Sequence, residues 1–190
     1  MLTTAILGWG SLLWDPRKLN YVKEVGWLDD GPILPIEFAR ISKDGRLTLV
    51  ITENGSYVKT YFAMSNYLWT NEAIENLIER EGSENIGFYI KETNTFYPED
   101  FKYKQAILDW IENYGMDAVI WTNLGENWKI RNEEKDIIKI INPDERVAYL
   151  KNLDDATQIK AKEYICKTPL QIQTKYRAVF EEELNWKPIV

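Results

Sequence analysis

Short apolar runs punctuated by turn residues fill the first third of the chain, a pattern that predicts β structure. Residues 2–8, ending at Gly8, read as a buried strand. Residues 33–42 (ILPIEFARIS) and 46–52 (RLTLVIT) flank Lys43-Asp44-Gly45, a turn signal that predicts a hairpin. A second turn, Glu53-Asn54-Gly55, leads into SYVKTYFAM, expected as the third strand of the same meander. Pro32 and Pro35 put the start of this unit at an edge or outside the ladder, because proline has no N–H to donate.

At Thr70 the period changes. Ala73, Ile74, Leu77 and Ile78 recur at helical spacing as far as Glu81, and Gly82 supplies the stop. IGFYIKE returns to strand, and a second helix is predicted over roughly 98–114, with Gly115 ending it. DAVIWT, residues 117–122, is another short strand. Residues 123–142 are polar and mixed, and read either as a lid over a site or as a solvated loop; their length argues for some structure within them. From Pro143 onward the chain reads as two or three helices, with Thr168-Pro169 as a break or a helix start. This order predicts an α+β protein. The expected form is a small mixed β-barrel with surrounding helices and a helical C-terminal third, in a single domain over residues 1–190.

Composition narrows the chemistry more than the fold. The net charge of −7 argues against a nucleic-acid partner and against docking on anionic lipid. No apolar run approaches the roughly 20 residues that a membrane span needs. The opening run lacks a basic leader, and the single cysteine, Cys166, has no internal disulfide partner, so the expected location is cytoplasmic. The most informative count is zero histidines. It removes the nucleophile systems that use imidazole as base, and the commonest zinc ligand with them. No metal or cofactor is expected, and acid–base work falls to Asp, Glu, Lys or Tyr.

Three places bear candidate chemistry. The first is Gly8-Trp9-Gly10-Ser11-Leu12-Leu13-Trp14-Asp15-Pro16. Glycines after a strand bring the backbone close to a ligand and permit unusual φ angles, and successive free N–H groups form a concavity for a carboxylate or an oxyanion. The same residues also read as a tight turn capped by Ser11. A dinucleotide fingerprint would need a third glycine where Leu13 stands. The second is Glu81, four residues after Leu77 and three after Ile78, hence on the apolar face of its own last turn. Burial and the helix dipole there disfavour the charged form, as suits a general base, whereas a pair with Arg80 would oppose both; an exposed final-turn residue is the other reading. The third is Arg40, which shares a strand face with Phe38 and Ser42 and reads as a substrate-carboxylate partner or as a snorkelling edge residue. Trp9, Trp14, Trp69 and Trp121 read as pocket wall or as core, and Cys166 as core.

In this order the segments resemble the γ-glutamylcyclotransferase superfamily, which includes ChaC-type, BtrG-like and plant avirulence-induced proteins. Trp9-Gly10-Ser11-Leu12-Leu13 stands where members carry Tyr-Gly-Ser-(Asn/Leu)-Leu, and Gly10-Ser11-Leu12-Leu13-Trp14-Asp15-Pro16 is similar to the ChaC pattern Gly-Ser-Leu-x-Trp-x-Pro. Phe38 to Ser42 with Thr48-Leu49-Val50 matches a following Phe-x-Arg-x-Ser segment and strand, and Arg80-Glu81 matches the Arg-Glu that carries the family's catalytic glutamate. The likeness runs as far as Trp121-Thr122 and departs in two places. Trp9 replaces the usual Tyr, and residues 26–32 lack the glycine-rich character of ChaC proteins, which argues against glutathione as substrate.

The resemblance implies a barrel with its site at one opening and a reaction without metal: the α-amine of a γ-glutamyl group closes on its own γ-carbonyl and releases 5-oxoproline. In that reading Glu81 is the acid–base residue. Trp9, Gly10, Ser11, Leu12 and Arg40 contact a small-molecule γ-glutamyl substrate. The alternative is a non-catalytic small-molecule-binding or interaction module on the same fold. A further possibility is an amide or acyl transfer in which an outside amine attacks.

Overall fold

A computed structural model describes residues 3–132 and 134–189. The chain is α+β and clusters into two compact units, Met1–Leu34 with Lys59–Leu124, and Pro35–Val58 with Gly125–Val190.

The first unit is built on a mixed five-stranded sheet. Strand β1 (Thr4–Gly8) lies between β5 (Tyr61–Met64), antiparallel to it, and β8 (Ala118–Thr122), parallel to it. Beyond β8 come β6 (Ile86–Ile90) and β7 (Thr95–Tyr97), each antiparallel to its neighbour. Helix α1 (Thr70–Glu81) covers one face: Ile6, Ile86 and Ile120 pack on its Ala73 and Leu77. Helix α2 (Lys104–Tyr114) covers the other, where Phe62 of β5 meets Trp110 at 4.9 Å between ring centres. Period-two alternation in the strands makes this possible, since neighbouring residues feed opposite faces. Trp121 lies across β6 opposite Gly87, where a Cβ would come within 2.2 Å of its ring; only glycine fits there.

Several expected elements stand with small shifts. Helix α1 spans the predicted residues and ends at Gly82, whose φ of 61° is left-handed and whose N–H donates to the Ile78 carbonyl. Helix α2 starts at Lys104, later than predicted, because residues 98–103 form turns, one of them closed by the Phe101 N–H donating to the Pro98 carbonyl (3.1 Å).

The meander expectation needs correction. SYVKTYFAM is two strands in different sheets: β4 (Ser56–Lys59) joins β2 (Ile33–Ile41) and β3 (Leu47–Ile51), and β5 joins β1. The break falls at Thr60, fully buried, whose hydroxyl donates to the Pro32 carbonyl at 2.7 Å.

The expected barrel is likewise absent: the described strands form three open sheets, and no closed barrel is present. The free edge of β5 is occupied by the connection after β1 rather than by another sheet strand. Leu28 exchanges backbone bonds with Phe62 (2.8 and 2.9 Å), and Val22 and Gly31 donate to Met64 and Thr60. With that edge taken, closure has no partner strand.

The second unit carries the β3-β2-β4 sheet, in which Ile36 pairs with Ile51; Pro35 lies inside β2, the middle strand, rather than at an edge, and its carbonyl accepts from the Thr52 N–H (3.0 Å). The polar stretch 123–142 contains a small hairpin, β9 (Lys129–Arg131) and β10 (Ile137–Ile140). Helices α3 (Arg146–Lys151), α4 (Asp155–Lys167) and α5 (Lys175–Leu184) follow, with Thr168-Pro169 at the α4 terminus. Phe38 is the pivot of this core, edge-on to Tyr164 and to Phe180. No helix among the described residues is long and apolar enough to cross a membrane.

Candidate active site

The loop after β1 is held from two directions, its own turn and helix α1. The Leu13 N–H donates to the Gly10 carbonyl (3.0 Å) and the Asp15 N–H to the Ser11 carbonyl (2.8 Å), a pattern that closes two successive turns. Among the described residues, the N–H groups of Gly10, Ser11 and Leu12 have no protein acceptor. Unpaired backbone donors on one turn are what an anion-binding concavity requires.

The reason for the first glycine differs from the expected one. Neither Gly8 nor Gly10 has a positive φ. A Cβ on Gly8 would instead stand 2.8 Å from the Trp27 ring and 3.2 Å from Leu13 Cδ2, so the missing side chain makes room for a tryptophan. Close approach, not dihedral freedom, explains that position.

Helix α1 fastens the other end. Its buried positions Ala73, Asn76, Leu77 and Arg80 recur at three- and four-residue steps, so Asn76 and Arg80 lie one turn apart on the buried line. Asn76 accepts from Asn20 N–H (2.8 Å) and donates to the Lys18 carbonyl (3.0 Å). Arg80 donates through Nη2 to the Asp15 carbonyl (2.7 Å) and to Ser11 Oγ (3.2 Å). Through Nη1 it donates to Glu81 Oε1 at 2.6 Å. Two polar side chains on a buried helix face thus hold residues 11–20 against α1.

One guanidinium therefore joins the loop serine to the glutamate. The side chain of Arg80 is 5% exposed and that of Glu81 is 13%. The Arg80 Nε is buried and has no partner. So is the indole Nε1 of Trp27, the ring against Gly8. Because Ser11 Oγ accepts from Arg80, its own hydroxyl proton remains available to donate.

Trp9 and Leu12 are buried, Leu12 within the core cluster that includes Leu77 and Ile120. The side chain of Leu12 is therefore core, and its backbone N–H is the part free to act. Arg40 belongs to the second unit, where its Nη1 donates to the Gly125 carbonyl at 2.8 Å, and burial lowers its pKa. Trp121 is fully buried, Trp14 is half-buried and Trp69 is 64% exposed. Cys166 is buried, with burial raising the thiol pKa.

Arg80 is the residue that the reading of the sequence placed beside the site and did not place in it. The signal was present in the period: Ala73, Leu77 and Arg80 are spaced 4 and 3, so the helix buries Arg80 more deeply than Glu81. No protein-family model, no curated protein and no solved structure matches this chain.

Proposed function

We propose that the protein is a γ-glutamylcyclotransferase-type enzyme, with Glu81 as its acid–base residue and the Gly10–Leu12 turn as its anion cradle. The observation that carries this reading is the single guanidinium of Arg80 touching both Ser11 Oγ and Glu81 Oε1. It ties the turn that carries the unpaired N–H donors to the helix end that carries the carboxylate, which supports this reading.

The step balances without an outside reactant. The α-amine nitrogen of the γ-glutamyl group bonds to the γ-carbonyl carbon, and the carbon–nitrogen bond to the attached amine breaks. Glu81 accepts a proton from the attacking nitrogen and returns one to the leaving nitrogen. The N–H groups of Gly10, Ser11 and Leu12 bind the substrate carboxylate or the oxyanion that forms at the γ-carbonyl. The products are 5-oxoproline and a free amine. Arg40, whose guanidinium already serves Gly125, is given no part in the step.

The binding-module alternative draws on the same pair: a carboxylate held by a buried guanidinium at 2.6 Å also reads as a structural tie. Incubating the protein with a panel of γ-glutamyl amines and peptides, with 5-oxoproline followed by mass spectrometry, separates the two. Cyclotransferase activity predicts product from at least one amide and a loss of about a thousandfold in Glu81→Gln, the size expected for removing a general base. No product from any amide, alongside ligand-induced thermal stabilisation, leaves the binding module.

A further inference from the structure

The Arg80–Glu81 pair joins successive residues of one helix, and such residues point about 100° apart around the axis. Helix geometry therefore does not create this pair. Arg80 is fixed independently of Glu81, by the Asp15 carbonyl and Ser11 Oγ, and its side chain is the more buried of the two. Glu81 bends to a guanidinium that is already in place. The fixed member also has spare capacity: a guanidinium carries five N–H donors, and the buried Nε of Arg80 has no partner. A buried donor left unmatched favours any acceptor that reaches it.

We infer that Arg80 is an exchange point: in the free protein it holds Glu81, and the carboxylate of a ligand displaces Glu81 from it, so that anion binding releases the base. This rests on the cyclotransferase reading for what Glu81 then does, but not for the exchange itself. The acceptor is a small carboxylate arriving from the side of Glu81, the more exposed partner. It takes donors from Arg80 and from the N–H groups of Gly10–Leu12, and the hydroxyl proton of Ser11 is free to join them. The freed Glu81 carboxylate then has no cation on it and can accept a proton. The tight pair, which on its face counts against catalysis, becomes a resting state that only a carboxylate-bearing ligand opens.

The exchange predicts that removing the resident carboxylate strengthens binding of a competing one. Calorimetric titration with acetate and 5-oxoproline, against the neutral analogues acetamide and 2-pyrrolidinone, tests it on wild type, Glu81→Ala, Arg80→Gln and the double variant. Glu81→Ala should bind at least one of the acids about tenfold more tightly or better, the size of one charge-assisted hydrogen bond regained, and leave the neutral analogues unchanged. The gain should vanish in the double variant, the coupling that a double-mutant cycle isolates. Equal affinity in wild type and Glu81→Ala overturns the inference, as does a gain that survives in the double variant, which would be general charge repulsion. If the Arg80 variants fail to fold, wild type against Glu81→Ala decides, with Glu79→Gln, two residues away and paired with Lys18 on the exposed face, controlling for the loss of a nearby negative charge. A gain in acid binding without turnover of any γ-glutamyl amide would keep the exchange and remove the cyclotransferase reading. Turnover without the gain would do the reverse.

Discussion

Two of the buried arginines, Arg80 from the first unit and Arg177 from the second, are held in different ways. Arg177, in α5, is fully buried and donates to the carbonyls of Thr168, Pro169 and Ile172, with Glu181 one turn on at 3.3 Å. Backbone carbonyls cannot leave without unfolding the segment that bears them. Arg80 donates to one carbonyl, one hydroxyl and one neighbouring carboxylate, and its Nε is unmatched. Its shortest bond is to a side-chain carboxylate, at 2.6 Å. Burial of a charge is costly in both places, but most of the partners of Arg177 are backbone carbonyls, whereas Arg80 has one such carbonyl, that of Asp15. An arginine that ties chain to chain is structural, whereas one that holds an exchangeable anion has a further use open to it.

The largest expected effect tests that contrast directly. Arg177→Met leaves three carbonyls without their donor and should cost about 3–5 kcal/mol in chemical denaturation, as breaking a buried charged network does. Arg80→Met removes fewer permanent bonds and should cost less, about 1–3 kcal/mol. Equal losses would mean that Arg80 is a structural clamp as well.

A middling effect concerns pH in the second unit. Tyr149 donates its hydroxyl to the Gly45 carbonyl at 2.6 Å, and burial, aided by the charge of Asp44, pushes its pKa up to about 12 from 10.0. The folded protein keeps a proton that the unfolded chain sheds first, so this contribution is whole below pH 10 and is lost as the pH rises toward 12. Tyr149→Phe should flatten that alkaline limb of a melting-temperature profile. The amplitude is about 1 kcal/mol after discounting for the solvent that reaches the phenol. An unchanged limb would place the alkaline sensitivity elsewhere.

The smallest effect is at the loop. Ser11→Ala removes one hydrogen bond to Arg80 and should cost about 0.5–1 kcal/mol, while weakening acid binding more than it weakens the fold. A stability loss with unchanged binding would make Ser11 a turn residue only.

Much of the first unit was legible from spacing. The apolar steps at Ala73, Ile74, Leu77 and Ile78 located α1, and its left-handed glycine ended it where expected. The strand at 117–122 showed through its continuous apolar run, because a sheet covered on both faces asks for one. What misled was local continuity. SYVKTYFAM has no glycine or proline at Thr60, so nothing in its composition announces that its halves join different sheets; the break is made by a hydrogen bond to Pro32, a distant partner. Residues 129–140 hid a hairpin for a related reason. Ile137, Ile138 and Ile140 are all exposed, so no alternation of inside and outside marks the strand.

The sequence by itself determined the class of fold, most element positions and the kinds of chemistry open to a chain without histidine. It also placed Gly10, Ser11 and Glu81 as the residues to watch, from local pattern and family likeness. Only the tertiary structure decided what those residues touch. That the guanidinium beside Glu81 also reaches Ser11, that Gly8 makes room for Trp27, and that the edge of β5 is taken by the connection after β1 all depend on contacts between residues distant in sequence. Periodicity reports which face of an element is buried, and it is silent on what lies across that face; the partner is chosen by packing of the whole chain.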